Sequence, residues 1–160
     1  MTWLLIVLAV AVVLSPLMWF RQSPRQKLIT DLRRSASALG LQVSLHRRPD
    51  AREEETRLET VCYRLPWLSD NCRQDWVIHR HSSRGWDGPA GWLWTLAQVA
   101  PEWDAVLLDV LPQLPAGVSA VVANSAGLGV IWNEREDAAD LQKIATQLKK
   151  LQLYAKENCQ

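Results

Sequence analysis

Phenylalanine occurs once in the 160 residues, at Phe20, and cysteine three times, at Cys62, Cys72 and Cys159. An odd cysteine number without CxxC or Cys/His zinc spacing excludes both a disulfide scaffold and a zinc module. Free thiols are expected in a reducing compartment; in an oxidising one Cys62 and Cys72 would be the natural pair. Net charge is nearly absent, with 18 basic against 17 acidic residues. A nucleic-acid binder carries a basic excess over its whole domain, so that class is excluded. Catalytic signatures are missing too. Asn124-Ser125-Ala126-Gly127-Leu128-Gly129 has neither GxGxxG nor a GK[ST] ending, and Ser125 lies in no GxSxG elbow. The chain is read as a non-enzyme, with no cofactor and no small-molecule substrate evident.

Charge is also missing from the first twenty residues, MTWLLIVLAVAVVLSPLMWF. As a helix, Trp3 to Phe20 would span about 27 Å, close to the ~30 Å hydrocarbon core of a bilayer. Trp3 and Trp19 stand near its ends, where indoles prefer the headgroup level. A cleaved signal peptide fits less well: no basic side chain precedes the apolar run, and Trp19-Phe20-Arg21 replaces the small residues of a cleavage site. Basic residues follow on one side only, at Arg21, Arg25, Lys27, Arg33 and Arg34. They predict an N-terminus outside and a C-terminus in the cytoplasm. Residues 1–22 are therefore expected to anchor a cytoplasmic domain, residues 23–160, to a bacterial inner membrane, with the lipid bilayer as first partner.

Beyond the span, Ser23-Pro24 and Gly40 bracket a helix whose apolar stripe is Leu28, Ile29, Leu32, Ala36 and Leu39. Leu41-Val43-Leu45, Val61-Tyr63-Leu65 and Trp76-Ile78 alternate with polar or smaller residues as strands do. RRPDAREEE reads as a charged loop, and SSRGWDGPAGW as the least regular part of the chain. A helix follows Pro101, stopped by Pro112 and Pro115. Val118–Ala123 and Leu128–Trp132 form a hairpin around a four-residue loop. A last helix runs from about Glu136 to Tyr154. The order predicts an α+β domain: one transmembrane helix, then a mainly antiparallel sheet packed with about three helices.

Two features remain as candidate sites. His79 and His81, at i and i+2 on a strand, would share one face and could ligate a metal, although two exposed histidines need no metal. Tryptophan is abundant, nine in all. Trp76, Trp103 and Trp132 fit core periodicities. Trp86, Trp92 and Trp94 lie in or beside the Gly/Pro-rich segment, either folded under it or presented as a partner-binding patch.

The span and the basic run RQSPRQKLITDLRR entering a helix resemble the YajC-type accessory subunits of the bacterial protein-export translocon. The resemblance covers about the first 45 residues. The strand Leu41-Gln42-Val43-Ser44 that follows Gly40 lacks the Gly-Asp opening of that family, and the soluble part is longer. The resemblance implies a non-catalytic accessory or scaffold protein that binds membrane subunits; it carries over no functional residue. The alternative is a membrane-tethered enzyme or metal-binding protein using His79 and His81.

Overall fold

The computed structural model describes residues 2–4, 6–7, 23–48, 59–69 and 74–158. The chain divides into two compact units, Met1–Asp31 and Leu32–Gln160. Among the described residues no helix is long and apolar enough to cross a membrane. Most of the Trp3–Phe20 stretch, with Trp19, Phe20 and Arg21, lies outside the described residues, as do Cys72 and Cys159.

Helix α1, Pro24–Ala38, begins and ends as its sequence dictates. Ser23 and Gln26 cap each other reciprocally, Gln26 N–H donating to Ser23 Oγ at 3.2 Å and Ser23 N–H to Gln26 Oε1 at 3.0 Å. Gly40 closes the other end at φ +83°, letting Leu41 N–H reach back to the Ala36 carbonyl at 2.9 Å. Only part of the expected stripe is buried. Leu32 and Ala36 join the core, whereas Leu28 is 43% exposed.

Seven strands follow: β1 Gln42–Arg47, β2 Glu59–Leu65, β3 Trp76–His79, β4 Trp86–Asp87, β5 Leu93–Trp94, β6 Val118–Asn124 and β7 Gly127–Trp132. They form one sheet in the order β1-β2-β7-β6-β3-β5-β4, and every neighbouring pair is antiparallel. The domain is thus α+β, its sheet packed with α1, α2 (Asp104–Val110) and α3 (Ala138–Asn158). One core contains Leu32 and Ala36, Leu107 and Val110, Leu141, Ile144 and Leu148, and the sheet residues Tyr63, Trp76, Ile78, Val121, Val130 and Trp132. The strand register puts those sheet residues on one face, and the helices lie on it. The other face carries a small cluster of Val77, Ala120, Val122 and Ile131.

Three sequence expectations need correction. Leu45 was expected inside, but β1 is an edge strand whose end runs past the core, and Leu45 is 67% exposed. The β6–β7 loop has two residues rather than four, because Asn124 and Gly127 are themselves paired. The Asn124 side chain accepts from Ala126 N–H at 3.0 Å, and Gly127, at φ +133°, lies so close to β2 that a Cβ would stand 2.0 Å from the Leu65 carbonyl oxygen. The SSRGWDGPAGW segment, read as irregular, contributes β4 and leads into β5. Gly85 permits this close pairing, since a Cβ there would fall 2.0 Å from the Trp94 carbonyl oxygen.

Candidate functional site at the outer edge of the sheet

The three tryptophans singled out in the sequence separate in space. Trp94 is fully buried and Trp92 nearly so, while Trp86 at the sheet edge is 47% exposed. Trp92 and Trp94 are therefore core residues rather than parts of a surface patch. The pairing explains it: Trp94 is opposite Ile78 on β3, which points it into the helix-covered face. There it begins a run of edge-to-face aromatic contacts, Trp94 to Trp76 at 5.7 Å, Trp76 to Trp103 at 5.7 Å and Trp103 to Tyr154 at 5.2 Å. Trp92 supports the Arg80 guanidinium, 4.8 Å from its ring centre. Arg80 in turn donates to the carbonyls of Leu114, Pro115 and Ala116 at 2.9–3.1 Å, and burial lowers its pKa against the opposing field of Glu136.

His79 and His81 do not form the expected pair. β3 ends at His79, whose side chain is buried with Nδ1 accepting from the His81 backbone N–H at 3.0 Å. His81 lies beyond the strand, exposed, so strand parity no longer aligns the two rings. Among the described residues no group of three or more His, Cys, Asp or Glu is placed to hold a metal.

The hairpin that buries Trp94 also shapes a cavity. A turn through Pro89–Gly91 joins β4 to β5, closed by Gly88 N–H to the Trp92 carbonyl at 2.9 Å, with Ala90 and Gly91 both left-handed at φ 56° and 74°. Between this hairpin and α2 is a cavity of about 260 Å³, lined by Asp87, Gly88, Pro89, Trp94, Gln98, Asp104 and Leu108. Its walls hold two carboxylates and no cationic side chain. Trp94 Nε1 is buried and has no hydrogen-bond partner. It stands beside Gly88, where a Cβ would be 2.9 Å away. Pairs of carboxylates accept hydrogen bonds, and the indole offers a donor.

No family model, curated protein or solved structure matches this chain.

A second polar assembly was not foreseen from the sequence. Arg33 grips Glu134 with two bonds, Nε to Oε1 at 2.8 Å and Nη2 to Oε2 at 2.9 Å, and the Tyr63 hydroxyl donates to Oε1 at 2.7 Å. Tyr63 is fully buried and Glu134 nearly so. Burial first, then the bond to Glu134, pushes the Tyr63 phenol above its ordinary range, and the same carboxylate raises Arg33. Glu134 also has φ +54°, a conformation uncommon for a residue with a side chain. Both carboxylate oxygens are occupied, so this assembly fastens α1 to β2 and the segment after β7. Arg33, counted in the sequence with the membrane-flanking basic residues, is used here as a structural ligand.

Neither assembly has a local sequence signature. Asp87 and Asp104 lie on β4 and α2, and Arg33, Tyr63 and Glu134 on α1, β2 and the segment after β7; the tertiary fold brings each set together.

Proposed function

We propose that this chain is a non-catalytic single-pass membrane accessory or scaffold protein, anchored by its N-terminal segment in a bacterial inner membrane. Its cytoplasmic domain binds a membrane-protein partner, and the resemblance to YajC-type subunits makes the protein-export machinery the first partner to test. The observation that carries this reading is the charge-free stretch from Trp3 to Phe20 with basic residues on its C-terminal side alone. Supporting it on the domain side is the outer sheet edge, where Trp86 presents half of its surface beside the cavity between β4–β5 and α2. Large aromatics at a surface are enriched in protein interfaces.

The experiment is recovery of partners in mild detergent from cells expressing the full chain, a form lacking residues 1–22, and the Trp86→Ala variant. A defined set of membrane proteins should accompany the full chain, and the Trp86→Ala variant should recover less of it at equal expression. Equal recovery by a Trp86→Ala variant that keeps its fold would remove the edge as the binding surface. Absence of the full chain from the membrane fraction would remove the anchor.

A further inference from the structure

We propose that the β1 edge of the sheet pairs with β1 of a second copy of this chain, antiparallel about a two-fold axis at Ser44. The pairing uses the edge opposite Trp86 and does not depend on the partner proposed above.

The two edges of the sheet differ. β4 has two residues, with Pro89 close behind, and offers little to an added strand. β1 has six, in unbroken register with β2 from Gln42 opposite Arg64 to Arg47 opposite Glu59. It contains none of the devices that blunt an edge: no proline, no lysine, no bulge, and one formal charge, Arg47, at its last position. Gln42, Ser44, Leu45 and Arg47 are exposed, Leu45 by 67%, and among the described residues no strand lies on the outer side of β1. Every second residue of an edge strand turns its N–H and C=O outward, a spacing that another extended backbone matches. The complementary ligand is therefore a strand, and the side chains of β1 decide whose.

β1 is complementary to itself. Residues directly opposite in an antiparallel pair share a face, so a two-fold axis that keeps both sets of helices on one side passes through a residue rather than between two. With the axis at Ser44, Val43 lies opposite Leu45 of the second copy, Gln42 opposite its His46, and Ser44 opposite its Ser44. Apolar meets apolar twice, on the face where Val43 packs against the core, and polar meets polar on the other. Arg47 falls beyond the paired residues, so no charge meets a like charge. An axis at Leu45 would set Arg47 opposite Val43 and is less well matched. The pairing covers Leu45, which the core of its own copy leaves exposed. A net charge of +1 creates no long-range repulsion between copies. A single strand pair is a contact smaller than the ~1,200–2,000 Å² of stable interfaces, so the dimer is reversible.

The test uses the full chain in detergent micelles with Cys62→Ala, Cys72→Ser and Cys159→Ser, so that an added cysteine reports alone. Ser44→Cys should cross-link to itself with a short bifunctional thiol reagent, since the Cβ atoms of directly opposed residues lie ~4.5–5.5 Å apart. Gln42→Cys and His46→Cys should each cross-link poorly alone and well when mixed, because the register opposes one to the other. In the chain with its natural cysteines, Leu45→Lys should weaken dimerisation roughly tenfold in sedimentation of density-matched micelles, since the symmetry removes two cross-strand pairs at once. Leu45 is exposed, so this variant keeps its fold. A monomer at every concentration, cross-linking at Ser44→Cys no better than at Gln42→Cys alone, or a dimer unchanged by Leu45→Lys would each overturn the proposal. The last of these would place self-association elsewhere in the chain.

Discussion

Tyr63 and Glu134 show how a polar group can be placed inside this core without loss. The Tyr63 hydroxyl has no access to solvent, yet it donates to a carboxylate that Arg33 already holds by both oxygens. Tyr63→Phe should cost about 1–2 kcal/mol in urea denaturation, because it removes one bond to a carboxylate that stays buried. The same residue gives a pH dependence. The folded state holds the Tyr63 proton more tightly than the unfolded chain, whose phenol titrates near 10.0. Its contribution is complete below that pH and is lost as pH rises through the higher folded value. Wild-type stability should therefore fall above about pH 10, and the Tyr63→Phe variant should fall less steeply over the same range. The tryptophans differ as sharply. Trp94→Ala should lose about 3–5 kcal/mol, as large core truncations do. Trp86→Ala, at a half-exposed position opposite Trp94, should lose less, about 1 kcal/mol, so its effect on binding is read beside a measurement of its folding. Composition alone could not separate these two residues. They face each other across the β4–β5 pair, and their difference comes from position at the sheet edge.

At the level of elements, the parts with strong local chemistry were legible. The Ser23/Gln26 cap and Gly40 define α1; Asp137 starts α3 by accepting from the N–H groups of Ala139 and Asp140. The strands Val61–Leu65, Trp76–His79 and the β6–β7 pair were visible through alternation or apolar runs. β4 and β5 were not, because two residues are too short to display a period and they stand among turn formers. What makes them strands is pairing, β5 with β3 and β4 with β5, with Gly85 admitting the approach. The candidate cavity depends on that hairpin and was invisible for the same reason. The β6–β7 turn offers the test at this scale. Gly127→Ala places a Cβ against the Leu65 carbonyl at a left-handed φ, and should destabilise the domain by at least about 2 kcal/mol in thermal or urea unfolding. Gly91→Ala, where no atom lies within 4 Å of the added carbon, should cost less, bearing only the conformational strain of φ +74°.

For the whole molecule, the proposed role joins an apolar N-terminal segment to an α+β domain with an aromatic, acidic sheet edge. In the proposed role, a domain held beside the bilayer would meet membrane partners at high effective concentration, so modest affinity at that edge can suffice. Of the basic residues on which the proposed orientation rests, Arg33 is held by Glu134, which leaves Arg21, Arg25, Lys27 and Arg34 as the flank. The most direct measurement is the reaction of Cys159 with a membrane-impermeant maleimide in intact cells. It should be made on a Cys72→Ser variant, so that buried Cys62 is the one other thiol. The expected result is a protein in the membrane fraction whose Cys159 is protected in intact cells and labelled once the membrane is permeabilised. Labelling in intact cells, or recovery of the chain without the membrane, would contradict it.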